Sequence, residues 1–244
     1  MIVITMAGDS SRFKNSKYAF PKYETVIKKN TLLTHSVSSL VHIANKSEKY
    51  IFVAQAKFQA KNFIYETCKF LNIINFEFIE IDYKTDGQAT TAYLATSRYN
   101  QTNERLIIYN IDTIINSEEL GSVAPMGDGW IPIVKTIGTH WSFVEIDVHD
   151  NYRVTRIEEK NPISNLATVG LYYFATVELF NLLYSVTYPF NSKIPEKYVS
   201  ALYATAIKRG LDIFSRELLP NKFYPAGTPE ELDRLLIEYT ELFN

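Results

Sequence analysis

The chain has 244 residues, 46% hydrophobic and 21% charged, a globular composition long enough to bury a substantial core in one large domain or two small ones. A formal charge of −2 leaves no basic footprint, so neither nucleic acid nor an acidic membrane is expected as a partner. One cysteine, Cys68, cannot form an internal disulfide, and no basic n-region or cleavage site opens the chain, so a cytoplasmic location is expected.

The first half alternates strand and helix signals. "IVIT" reads as a buried strand, and residues 31–42 set Leu33, Val37, Leu40 and Val41 on one helical stripe. "YIFVA" (50–54) is a strand; residues 57–71 stripe Ala60, Ile64, Thr67, Cys68 and Leu71. "FEFIEI" (76–81) alternates as a strand, 88–98 reads as a helix and "RLIIYNI" (105–111) as a strand. This βαβα order predicts an α/β protein with a mostly parallel sheet and helices on both faces.

The second half changes character. "GWIPIVKT" (129–136), "HWSFVEIDV" (140–148), "YRVTRIEE" (152–159) and "ATVGLYYF" (167–174) read as four strands, with "HDN" (149–151) as a hairpin turn. The most apolar stretch, 170–186, carries Glu178 and Asn181 and is short for a membrane span, so it reads as a buried strand entering a core helix. Helices are predicted over 176–186 and 195–209. A last helix opens at "GTPEEL", with Thr228 as N-cap, Pro229 at the first position and Glu231 closing a capping box. Leu232, Leu235, Leu236 and Tyr239 form its stripe.

Chemistry concentrates where strands end. "MAGDSSRF" follows the first strand, and a small-residue turn there exposes successive backbone N–H groups, an anion-binding nest. Gly8 permits close approach, Ser10 and Ser11 add hydroxyl donors, and Arg12 supplies a planar fork for phosphate oxygens. Lys22 adds a point charge behind the stiff Pro21. Neither GxGxxG nor GxxxxGK[ST] is present. "GQATTAYLA" (87–95) places a glycine and small polar residues at a helix entrance, where a base or ribose can lie against backbone. "IIYNIDT" (107–113) ends a buried strand in Asn110 and Asp112, at the sheet edge where open α/β folds bind ligands, and Asp112 there suits Mg²⁺. "EEKNP" puts Glu159 and Lys160 at the end of another strand. The bland alternatives are an Arg12–Asp9 surface pair, a turn-capping Asp112 and a solvated Glu159–Lys160 pair. Trp141 reads as core or pocket wall and Cys68 as packing. His35, His42, His140 and His149 lack zinc-ligand spacing.

The ordered set "MAGDSSRF", "PK", "GQATTA", "NID", "EEK" and "GTPEEL" resembles the sugar-phosphate nucleotidyltransferases of the nucleotide-diphospho-sugar transferase superfamily. The likeness is nearest to the subgroup of capsule and surface-polysaccharide loci. It extends through "WSFVEID", "EEKNPISNLATVGLYYF" and "YVSALYATAIKRG", nearly the whole chain. It implies a GT-A-like fold in one domain over 1–244, with residues 1–115 binding the NTP and 116–244 forming the acceptor half and C-terminal helices. It implies transfer of a nucleoside monophosphate to a phosphorylated acceptor with Mg²⁺. Matched motif by motif, Arg12, Lys22 and Asp112 are catalytic, Arg12 holding the triphosphate with Ser10 and Ser11, and Asp112 holds the metal. Ala7, Gly8, Asp9, Ser10, Ser11, Gly87, Gln88 and Thr90 bind the nucleotide; Glu159, Lys160 and Gly170 bind the acceptor, Gly170 by leaving room for its ring. Many relatives carry a second metal-ligating aspartate two residues before the Gly-Thr of the terminal motif. Pro225 stands there in this chain, as the capsule-type subgroup also lacks that aspartate, and Asp9 is a candidate substitute. Two other readings compete: a glycosyltransferase of related fold, against which the lone aspartate of "NIDT" speaks, and a non-catalytic nucleotide-binding protein. The base, the acceptor and any homo-oligomer are left open.

Overall fold

Ile2, Ile4 and Met6 of the first strand pack into one hydrophobic cluster and Val3 into another, so the strand is buried on both faces. The computed structural model describes residues 1–44, 48–99, 102–121, 124–190, 192–219 and 221–242, without the side chains beyond 237, so the expected stripe position Tyr239 lies outside the described residues. In chain order the elements begin with β1 (Ile2–Met6), a short ribbon of β2 (Val26–Ile27) and β3 (Asn30–Thr31), and α1 (Leu32–Ser38). Then come β4 (Tyr50–Gln55), α2 (Lys61–Phe70), β5 (Phe76–Ile81), α3 (Gln88–Thr96) and β6 (Leu106–Asn110). They are followed by β7 (Thr113–Ile115), α4 (Ser117–Gly121), β8 (Gly129–Lys135), β9 (Ser142–Asp147) and β10 (Arg153–Glu159). The rest are β11 (Leu166–Thr168), β12 (Leu171–Phe174), α5 (Val177–Thr187), α6 (Val199–Lys208), β13 (Ile213–Glu217), β14 (Phe223–Pro225) and α7 (Pro229–Leu242).

Ten strands form one mixed sheet in the order β11-β9-β10-β13-β8-β12-β6-β1-β4-β5. As expected, β6, β1, β4 and β5 are parallel; beyond β6 the pairings are antiparallel except β8 with β13. Helices α3, α5 and α6 cover one face through Ala89, Ala92, Val177, Phe180, Val199 and Leu202. Helices α1 and α2 cover the other through Leu33, Val37, Ala60, Ile64 and Cys68.

Several boundaries differ from the sequence reading. Helix α1 ends at Ser38, which turns Val41 out to 49% exposure while Leu40 stays buried. The predicted strand 167–174 is two strands broken at Gly170, whose φ is +80°. Helix α6 starts at Val199 rather than 195, because the preceding segment is tied by backbone to the first half: Lys197 N donates to Asp86 O at 2.6 Å, and Ala89 N donates to Lys197 O at 3.0 Å. The terminal helix starts as predicted, with Glu231 N donating to Thr228 Oγ1 at 3.1 Å and Glu231 Oε2 accepting from Thr228 N at 3.0 Å. Its Leu232 and Leu235 pack with Phe13, Ile27, Ile114 and Tyr224, so α7 backs the loop after β1.

Candidate active site

Two cavities of about 600 and 270 Å³ open side by side at the carboxyl ends of β1 and β6. Gln88, Asn110, Asp112 and Glu196 line both. The larger cavity brings together Ala7, Gly8, Ser10, Lys22, Gly87 and Gln88; the smaller brings together Arg12, Glu159 and Gly170. Asp9, Ser11, Thr90 and Lys160, also expected at the site, line neither cavity.

The loop after β1 is held by three anchors. Gln55 Nε2 donates to Ala7 O at 2.7 Å, Phe13 is buried to 1% exposure, and Ser10 takes a left-handed φ of +49° before a 3-10 turn over Ser11–Phe13. That left-handed-to-right-handed sequence turns backbone N–H groups toward one side, as an anion nest requires. Gly8 has no positive φ; no atom lies within 4 Å of where its Cβ would stand, so its missing side chain keeps the cavity open.

Lys22 and Asp112 form the centre. The Lys22 Nζ donates to Asp112 Oδ2 at 2.6 Å, with side-chain exposures of 14% and 27%. Lys22 is therefore largely buried. Burial opposes the charge on Asp112, but the Lys22 ammonium, with Arg12 adding to it, holds the carboxyl below the usual range. Arg12 is exposed and makes no ion pair among the described residues, so the alternative Arg12–Asp9 pair does not form.

Asp9 pairs elsewhere. Its Oδ1 accepts from Lys57 Nζ at 2.7 Å and from Gln55 Nε2 at 3.1 Å, and its Oδ2 lies 3.3 Å from Lys84 Nζ. The hydrogen bond from Lys57, helped by Gln55 and Lys84, holds the carboxyl down to about 2. Asp9 and Ser11 line a separate cleft with Lys57 and Phe58 instead of either site cavity. Asp9 therefore secures the loop and positions Lys84, which lines the larger cavity. Among the residues lining the two site cavities Asp9, expected at the nucleotide and as a substitute metal ligand, does not occur.

Three other expectations shift. Thr90 bonds to Asp86 and, at 2.9 Å, to Tyr184 OH, which faces it into α5; the next residue, Thr91, lines the larger cavity instead. Lys160 (φ +55°) bonds Tyr198 OH and lies 3.3 Å from Glu196 Oε2. It does not line the acceptor-side cavity itself; it steadies two residues that do. A Cβ on Gly170 would overlap the amide of Asn110, so the glycine makes room for Asn110 rather than for a sugar ring. Asn110 Oδ1 in turn accepts from Gln88 Nε2 at 2.5 Å, joining β6 to α3 between the cavities.

Glu159 lies where expected. Its Oε2 accepts from Ser142 Oγ and, at 2.8 Å, from Ser200 Oγ, with Tyr172 and Trp141 also in the wall. Trp141 therefore is pocket wall, 6.0 Å from the Phe223 ring. Cys68 is buried, and burial pushes its thiol up to about 12, consistent with packing. Among the described residues no group of three or more His, Cys, Asp or Glu is arranged to hold a metal by itself, and no helix is long and apolar enough to cross a membrane.

No family model matches the chain, and no curated protein matches it. Solved structures do. The crystal structure of a nucleoside-diphosphate-sugar pyrophosphorylase from Vibrio cholerae RC9 is 30% identical, with 97% of this chain and 100% of that chain covered at a TM-score of 0.85. The inositol-1-phosphate CTP transferase from T. maritima (15% identity, 99% and 95% covered, TM-score 0.77) shares the fold. So does a UDP-glucose pyrophosphorylase complexed with UDP-glucose (17%, 99% and 98%, TM-score 0.74).

Proposed function

Because this chain belongs to the sugar-phosphate nucleotidyltransferases, the nucleotide-diphospho-sugar pyrophosphorylases, we propose that it transfers a nucleoside monophosphate from an NTP to a sugar phosphate or similar small phosphate. A phosphate oxygen of the acceptor forms a bond to the α-phosphorus, the bond from that phosphorus to the α,β-bridging oxygen breaks, and pyrophosphate leaves. The observation that carries the assignment is the wall shared by the two cavities, with Asp112 in it and Lys22 against Asp112.

Both reactants are anions. Two unit charges ~4 Å apart repel by about 4 kcal/mol at an effective dielectric near 20. The chain's task is to offset that repulsion and align the atoms. Lys22, at the junction, neutralises charge at the attacked phosphate. Arg12, on the acceptor side, receives the acceptor phosphate. Ser10 and the nest amides hold the triphosphate; Gly87, Gln88 and Thr91 face the nucleoside. Glu159 accepts acceptor hydroxyls through the oxygen not engaged by Ser200. Asp112 suits Mg²⁺, an ion held by one or two carboxylates together with substrate phosphates rather than by an all-protein cage. When bound there, Mg²⁺ supplies charge neutralisation across phosphate oxygens.

The division of labour between 1–115 and 116–244, a cytoplasmic location and service to capsule or surface polysaccharide synthesis complete the reading; the last rests on the motif resemblance. The test incubates the protein with each of four NTPs, Mg²⁺ and a panel of sugar phosphates while pyrophosphate is followed. Release with one NTP–acceptor pair, lost on adding EDTA, is the expected result. No release with any pair, or transfer from a nucleotide-sugar donor instead, overturns it.

A further inference from the structure

Asp112, after β6, and Glu231, in the first turn of α7, converge on one glycine. A Cβ on Gly227 would stand 3.3 Å from Asp112 Oδ2 and 3.3 Å from Glu231 Oε2, so those oxygens are no farther apart than the sum of the two distances. Both side chains line the acceptor-side cavity. They are not equally compensated. Asp112 has the Lys22 ammonium at 2.6 Å. The Glu231 side chain is 9% exposed, yet its only ionisable partner among the described residues is His140, with Nε2 3.8 Å from Oε1. Glu231 Oε2 is occupied by the amides of Gly227 at 2.8 Å and Thr228 at 3.0 Å, while Oε1 makes no hydrogen bond among the described residues.

Two amides already compensate the Glu231 carboxylate, yet it stands near a second carboxylate with no permanent cation paired to it among the described residues, so a cation between the two would be favoured. The local capping role accounts for one oxygen and leaves the other unused. We propose that the Glu231 carboxylate is the second protein ligand of the divalent cation held by Asp112. It does the work that Pro225 cannot. The inference rests on the magnesium reading above. Two carboxylates, with water and phosphate oxygens filling the remaining positions, form an ordinary Mg²⁺ donor set. The two amides clamp Oε2, so the carboxylate is oriented before any metal arrives. Gly227 keeps the space between the two carboxylates free of a side chain.

The test reads metal binding without turnover. Mn²⁺ is titrated by water-proton relaxation into the protein, alone and with the NTP that supports pyrophosphate release. Three variants are compared: Glu231→Gln, whose amide oxygen still accepts from both backbone N–H groups and preserves the capping box; Gly227→Ala, which keeps Glu231 and places a methyl between the carboxylates; and Asp112→Asn. The expected result is an Mn²⁺ dissociation constant at least tenfold higher in each variant, with the melting temperature of Glu231→Gln unchanged. Wild-type affinity in both Glu231→Gln and Gly227→Ala, with loss only in Asp112→Asn, overturns this proposal and leaves the magnesium reading standing. Absence of Mn²⁺ binding by the wild type under both conditions overturns the two together.

Discussion

Lys22 and Asp112 stand 90 residues apart in the chain, yet Nζ and Oδ2 meet at 2.6 Å in the wall between the two cavities. Under the proposed function, the contact holds a positive charge where the two phosphates would approach, and holds it before either arrives. This is preorganised charge, which costs no rearrangement at the moment of reaction.

Lys22→Ala is expected to lower kcat by roughly two to three orders of magnitude, the range for removing one preorganised donor. Stability should fall by only about 1 kcal/mol, because the pair is open to solvent on one side. Pyrophosphate release and a urea titration on the same preparation check this. Parallel loss of both would make Lys22 a structural residue.

Thr90 and Thr91 give a paired prediction. If the larger cavity takes the nucleotide as proposed, Thr91→Val should raise the KM for NTP several-fold, since Thr91 lines that cavity, and should lower stability as well, since its Oγ1 bonds to Thr85 Oγ1 at 2.7 Å and to Gly87 O at 3.1 Å are lost. Thr90→Val should leave that KM unchanged and lower stability by about 1 kcal/mol through its lost bonds to Asp86 and Tyr184. Initial-rate kinetics separate the two.

Gly87→Ala should destabilise the protein by more than about 2 kcal/mol, combining a strained backbone with a steric overlap. The residue has φ +145°, and a Cβ there would run into the backbone of Lys197, which cannot step aside as a side chain would. Differential scanning calorimetry of the variant checks this.

Glu48 predicts an acid limb of stability. Burial opposes its charge, but Arg105 (Nη2 2.8 Å, Nε 3.0 Å) and the N-terminal ammonium (3.2 Å) outweigh it and hold its carboxyl low. The folded value lies below the unfolded one of about 4.3, so this contribution is fully present above that pH and is lost as pH falls through the folded value. Urea midpoints of wild type and Glu48→Gln should be well separated at pH 7 and converge toward pH 3.

What the sequence revealed and what it concealed follow from the range of the forces involved. The small residues of "MAGDSSRF" and the aspartate after β6 announce themselves because strand ends and turns are written locally, and Ala7, Gly8, Ser10, Lys22 and Asp112 do come together around one cavity. Which of Thr90 and Thr91 lines the larger cavity depends on the rotation of α3, which its tie to Lys197 helps to set. The partners of Asp9 come from β4 and from beyond β5, invisible from its own neighbourhood. Strand β13 went unread because it pairs in parallel with the distant β8 and antiparallel with β10, while its own burial alternates weakly. Glu231 was legible as a helix cap, and that sufficient local explanation hid its second neighbour, Asp112.

Pro195 and Glu196 belong to the later part of the chain yet close one side of the larger cavity, next to the hinge-like junction of Asp86, Gly87 and Lys197. A truncated polypeptide ending after β7 would lack the side of the cavity that Pro195 and Glu196 supply. Recombining the front of this enzyme with the rear of another would therefore alter selectivity for the donor as well as for the acceptor, and chimeras should be spliced with the 195–197 segment travelling alongside the loop it seals.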